Sequence, residues 1–303
     1  MTDRTNWAAI LAACLALAGC ATAPSLPTAE PAPLPQLGLL QIPAQIAQGG
    51  LLLGTVPPGS VVVPMNPDGA DAAPLRISAT GRFVIGIARD ATGSLRLRVT
   101  PPGEAQRSID VAILTRTFPQ EIITGVPQDT VTPSPEIEAR IEREQARVAA
   151  ARVRDDDRDD FDVHFHWPVT GRISGEFGST RVYNGTPGAP HSGMDVAAAE
   201  GTPVRAPAAG SVIFADRDLY LTGGTLVIDH GHGLSSTFLH LSRIDVKVGD
   251  RVLQDQFVGQ VGKTGRATGP HLHWGMNWFD VRVDPHLLVD PSENPADNPQ
   301  TPH

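Results

Sequence analysis

The sequence predicts an all-β protein: a C-terminal antiparallel β-sheet domain, preceded by a small β-sandwich-like module and a connecting helix. Three observations predict it. Short apolar or alternating runs, separated by Gly- and Pro-rich turns, recur from about Leu37 to Thr117 and again from about Phe161 to Pro291. One charged stretch between them has helical rather than strand periodicity. All ten histidines lie between His164 and His303, so imidazole chemistry belongs to the second β region.

Composition narrows the class. A chain of 303 residues with 41% hydrophobic content can bury a large core. Its net charge of -9, with lysine only at Lys247 and Lys263, argues against nucleic acid as a partner. Cys14 and Cys20 are the only cysteines, which excludes a disulfide framework and a cysteine-rich zinc site. Any metal must be held by histidine and carboxylate.

Residues 1–19 read as a signal peptide: a polar start with Arg4, then an apolar run from Trp7 to Ala18 that is too short for a stable bilayer span. Leu17-Ala18-Gly19-Cys20 resembles a bacterial lipobox, which implies that Cys20 is lipidated and heads the mature chain. Ala21, where Asp would signal inner-membrane retention, implies an outer-membrane anchor facing the periplasm. Residues 20–36 are Ala- and Pro-rich and predict a tether.

Residues 37–117 predict the sandwich-like module, with strands in LLLGTV, SVVVP, LRISA, RFVIGI, LRLRVT and IDVAIL. Residues 118–160 predict a linker carrying a helix over about 135–154. Ser134-Pro135-Glu136 supplies its N-cap, first-turn proline and acidic start, and Ile137, Ile141 and Val148 a narrow apolar stripe. The run Asp155 to Asp160 predicts a solvated linker. Residues 161–290 form the second β domain, and 291–303 a polar, Pro-rich, disordered tail.

The chemistry concentrates in three segments. In GRATGPHLHWGMNW (265–278), His271 and His273 share one strand face and Leu272 and Trp274 the other. Alone, that pattern fits a surface strand as well as a metal site. His191 and Asp195 form an HxxxD element, a donor pair suited to zinc. GGTLVIDHGHGLSSTFLHLS (223–242) predicts a hairpin in which alternation puts His240 on the face of Phe238, opposite Leu239 and Leu241.

Taken in order, HxxxD, the His-Leu-Ser strand and Val261 to His273 resemble the lysostaphin-type zinc metalloendopeptidases, which cut peptide cross-links in bacterial cell walls. The resemblance covers residues 161–290, with WPVTGRISGEFG (167–178) as the entry strand. It implies that His191, Asp195 and His273 hold one Zn2+ per chain, leaving an open position for water, and that His240 and His271 are the catalytic histidines beside it. It implies peptidoglycan stem peptides as substrate, with the membrane reached through the lipid anchor and room for a regulatory protein partner. Two positions depart from the common pattern: Phe238 where tyrosine is frequent, and Trp274-Gly275 where Phe-Glu is common. The alternatives are a non-catalytic wall-binding regulator of another hydrolase and a structural metal site. The intact five-residue set favours an enzyme. His230 and His232 are read as structural or rim residues, and His164, His166, His286 and His303 as peripheral. Tyr183 and Asn184 are left between groove lining and loop.

Overall fold

The computed structural model describes residues 40–66, 68–294 and 296. The signal peptide, Cys20, the tether and most of the tail lie outside the described residues. The first β region holds β1 (Gln45–Ala47), β2 (Leu51–Thr55), β3 (Val61–Pro64), β4 (Arg82–Gly86), β5 (Ser94–Thr100), β6 (Arg107–Leu114) and β7 (Gln120–Ile123). Five of the six predicted strand segments are strands; LRISA is not. There the Ser78 hydroxyl accepts from the backbone N–H groups of Thr80 and Arg82, closing a side-chain turn instead of extending a ladder.

A four-stranded sheet, β1-β6-β5-β3, faces the β2–β4 pair across a core of Leu52, Val62, Phe83, Ile85, Leu97, Val99 and Val111. The arrangement is sandwich-like, although β1 runs parallel to β6. The β2–β4 pair is buried on both faces, because alternate residues Leu51 and Val84 enter the core of the C-terminal half. Gly86 permits the approach: a Cβ there would lie 2.7 Å from the Trp278 Cβ. The described residues therefore form one compact unit sharing buried side chains across the interval predicted as linker.

That interval is itself built into the fold. β7 pairs in parallel with β9 (Thr180–Tyr183), after β8 (Ile173–Gly175) and before β10 (Thr186–Pro187). Helix α1 (Pro135–Ala151) starts where the cap predicts: Ser134 accepts from the Ile137 N–H, a cap worth about 1 kcal/mol. Its stripe settles through Val148 and Ala151 onto Phe214, Leu219 and Val227. The Asp155–Asp160 run is no solvated tether. Arg251 grips both Asp160 oxygens at 2.7 and 2.9 Å, and Arg158 contacts buried Asp229.

The remaining strands are β11 (Met194–Ala197), β12 (Pro203–Arg205), β13 (Gly210–Leu219), β14 (Gly223–Gly231), β15 (Leu234–Leu241), β16 (Arg243–Ile244), β17 (Arg251–Val252), β18 (Phe257–Gln260), β19 (His271–Trp278) and β20 (Val281–Val283). An antiparallel sheet in the order β17-β13-β14-β15-β19-β11-β8 dominates, with β20 on β19. Its inner face packs Leu226, Ile228, Phe238, Leu272, Trp274 and Met276, and a small β12-β18-β16 sheet adds Val204 and Val258. The ordered chain also continues past residue 290. A short 3-10 turn, Pro291–Glu293, leads to buried Asn294, whose side chain accepts from the Gly171 N–H and donates to its carbonyl. Those two bonds hold the start of the predicted tail in place.

Candidate active site

The site lies on the outer face of the large sheet, where β19 runs between β11 and β15. Antiparallel register places His273 opposite Asp195 on one side and opposite Leu239 on the other. His271 and His273 share this face as predicted, while Leu272 and Trp274 enter the core. His191, just before β11, completes a triangle. Its Nε2 lies 2.9 Å from His273 Nδ1 and 3.1 Å from Asp195 Oδ1, and those two atoms lie 2.8 Å apart. All three residues are buried. One ion can reach all three atoms at the ~2.0–2.2 Å typical of nitrogen and oxygen ligands to zinc.

Protonation suits that use. Burial pushes His273 down to about 4 despite the pull of Asp195, so its imidazole is neutral at pH 7. Burial works against Asp195 ionising, but bonding with His191 and His273 holds its carboxyl well below the usual range. A neutral His273 and an ionised Asp195 are what a divalent ion requires of these two ligands.

Backbone carbonyls fix which ring nitrogen is free. The Nδ1–H of His191 donates to the Glu176 carbonyl at 2.9 Å, turning Nε2 into the triangle. The Nδ1–H groups of His240 and His271 donate to the carbonyls of Thr264 and Gly269, each at 2.8 Å, so Nε2 is the free ring nitrogen of both. The two rings stand 4.8 Å apart, and His240 is 6.3 Å from His273. Burial, then the neighbouring His271 and His273, push His240 down to about 3.

His240 reaches this face by a route that alternation does not predict. Phe238 faces Trp274 in the core, and strict alternation would send His240 there as well. The β14–β15 register instead shifts between Gly224/Leu241 and Leu226/Phe238, and His240 has φ +64°. The bulge re-aims the imidazole across the sheet to His271. Phe238 therefore does not stand where a phenolic hydroxyl would serve the site.

A model of peptidase family M23 matches residues 189–285, a segment holding all five site residues. A solved structure of a Pseudomonas aeruginosa protein assigned to peptidase M23 is 33% identical; the match covers 80% of this chain and 94% of that one, with a TM-score of 0.60. The chain belongs to peptidase family M23. Among curated relatives, peptidoglycan DD-endopeptidase ShyA of Vibrio cholerae is 43% identical over 104 residues, 34% of this chain and 24% of that protein. DD-carboxypeptidase/endopeptidase Mpg of Neisseria meningitidis is 43% identical over 102 residues, 34% of this chain and 23% of that protein. The chain thus spans about a quarter of the length of these curated relatives.

Four further residues, which no local motif in the sequence marks, support the triangle. Arg181 donates to Asp195 Oδ2 at 2.6 Å and to Glu121 at 2.9 Å, and the Asp195 carboxylate raises its pKa against the cost of burial. Gly175 and Gly193 leave room for these groups: a Cβ at Gly175 would lie 2.6 Å from Asp195 Oδ2, and one at Gly193 2.8 Å from His273 Nε2. Glu121 comes from the interval read as linker, and only the β7–β9 pairing reveals its place. The remaining described histidines stay apart from the triangle. His230 bonds Ala209 and Ser236, His232 packs on Phe161, His166 pairs with Asp255, His164 with Glu293, and His286 lies against Trp167. Asn184 serves its loop, bonding Gly125 and Val126, while Tyr183 lies under the Arg266 guanidinium at 4.2 Å.

Proposed function

We propose that this protein is a zinc-dependent endopeptidase that hydrolyses peptide cross-links in peptidoglycan, anchored through a lipidated Cys20 in the outer membrane and facing the periplasm. The observation that carries the reading is the pairing of a three-donor triangle, His191–Asp195–His273, with two further histidines whose free Nε2 atoms face the same space. The names of ShyA and Mpg support the substrate class. The envelope address rests on the signal-peptide run and lipobox resemblance of residues 1–20 and on Ala21.

In this reading His191 Nε2, Asp195 Oδ1 and His273 Nδ1 hold the ion. A zinc there supplies Lewis acidity toward the scissile carbonyl and acidifies water. His240 and His271 divide the proton work: one accepts the proton of the attacking water at Nε2, and the other, protonated at Nε2, steadies the developing oxyanion or donates to the leaving amine. The carbonyls of Thr264 and Gly269 keep those atoms aimed. Arg181 and Glu176 hold the ligands Asp195 and His191 from behind. A non-catalytic wall-binding regulator would have no use for two histidines held in this tautomer.

The test is digestion of purified cross-linked peptidoglycan by the full chain with zinc, with chelator, and as His273→Ala, with muropeptides read by mass. Zinc-dependent loss of cross-linked dimers that disappears in the variant is expected. Intact cross-links despite stoichiometric zinc would move the reading to the regulator.

A further inference from the structure

A cleft of about 690 Å³ lies between helix α1 and the outer face of the large sheet, and it reaches the metal triangle at His273, beside Ser192. Its floor follows β19 away from the metal. His273, Gly275 and Asn277 succeed one another on one face, opposite Leu239, Thr237 and Ser235. Gly275 keeps that floor low, since it has no side chain. At ~3.3 Å per residue, Asn277 lies about 13 Å along the strand from the metal ligand.

The far end is cationic and unpaired. Arg152, at the C-cap of α1, donates from Nη2 to Thr237 at 2.8 Å, but its Nε is buried without a partner and no carboxylate neutralises it. Burial and the charge of Arg282 push its guanidinium down to about 10. Arg282 stands opposite Asn277 on β20, with no hydrogen bond or ion pair among the described residues. Asn277 is 5% exposed, and its side-chain amide also lacks a protein partner. Asp280, on the exposed turn between β19 and β20, lines the same cleft without pairing with either arginine. Glu144, which also lines the cleft, is paired with Arg140, so two guanidiniums that repel each other and an amide with no protein partner, set in one cleft, suit an anion.

We propose that Arg152, Arg282 and Asn277 form a carboxylate-recognition subsite for the peptide substrate, one to four residues from the bond at the His191–Asp195–His273 centre. The inference rests on the peptidase reading for its ligand: the subsite selects peptides with a free carboxylate beside the scissile bond over amidated ones. Arg152 takes the carboxylate nearest the metal and Arg282 one lying further along the groove.

The test is calorimetric binding to the zinc-loaded full chain carrying His240→Ala, which slows turnover. The probes are a cross-linked stem-peptide dimer with free carboxylates and the same dimer with every carboxylate amidated. The acid form should bind about tenfold to a hundredfold more tightly. Arg282→Gln should erase most of that preference while leaving affinity for the amide form unchanged, and Arg282→Lys should restore part of it. Arg152→Gln should do the same, and Arg282, on β20 and exposed, provides the variant that does not touch the helix cap. Equal binding of both probes, no binding of either, or a preference that survives both Gln variants would overturn the subsite. The peptidase reading fails separately: a clear carboxylate preference with no release of cross-links by the wild-type chain would leave the subsite standing and remove the enzyme.

Discussion

His230-Gly231-His232 and His271-Leu272-His273 share a spacing, each meets a strand of the same sheet, and all four imidazoles but His271 are buried, yet they do different things. The second pair stays in regular strand, so both imidazoles reach one face, where β11 delivers Asp195 in register. The first pair ends a strand: Gly231 has φ +90° and His232 φ +49°, which breaks the two-residue period. His230 then spends both nitrogens on Ala209 and Ser236, and His232 turns to Phe161. Spacing alone does not make a site. The difference lies in what the neighbouring strand supplies and whether the backbone keeps alternating.

The largest effect that would break this comparison is on the metal. His273→Ala should lose both bound zinc and peptidase activity, whereas His230→Ala should keep its zinc and pay only in stability. Metal content by plasma mass spectrometry, beside muropeptide release, separates them. Zinc retained in full by His273→Ala would dissolve the contrast. Next in size, His240→Ala and His271→Ala should keep the metal while turnover falls by roughly 10²–10⁴-fold. A parallel loss of zinc in either variant would reassign it as a ligand.

These expectations also show what could be read before the fold was known. His191, Asp195, His271 and His273 were legible because HxxxD and HxH occur in the order of the family the sequence resembles; strand alternation by itself accounts only for His271 and His273 sharing a face. His240 was legible as a residue but not as a direction: alternation sends it into the core beside Phe238, and only the bulge brings it out. Helix α1 was legible from its cap and its stripe. Glu121 was hidden because its role depends on a parallel pairing of β7 with β9 across some sixty residues, which no local signal reports. The shared burial of Leu51 and Val84 was hidden for the same reason, since each reads as an ordinary strand residue.

Arg181 sharpens the comparison from behind the metal. It holds Asp195 on the oxygen that does not face the triangle. Arg181→Ala should weaken zinc binding or activity by about 10–100-fold, the usual scale for such supporting contacts. Competition with a chelator of known affinity measures it. Unchanged zinc affinity and rate would mean that β11 pairing alone orients Asp195.

The smallest effect on activity belongs to His230, and it appears in stability instead. Burial, against the Ala209 carbonyl bond, lowers its pKa to about 4, so it stays neutral in the folded state where the unfolded chain takes up a proton near 6.5. The sign follows from that depression: its contribution is present above about pH 6.5 and is lost as pH falls through about 4. A shift of this size corresponds to about 3 kcal/mol across the window. Asp229, raised to about 6 by burial, acts with the opposite sign over part of the same range. Both proteins in a comparison of wild type with His230→Asn carry that carboxylate, so the difference in denaturation midpoints from pH 7 to pH 4 isolates the histidine. The wild type should lose stability more steeply on acidification, with zinc content alike in both at neutral pH. Equal slopes would mean that His230 is protonated in the folded protein, and with it would go the claim that this second pair is packing rather than chemistry.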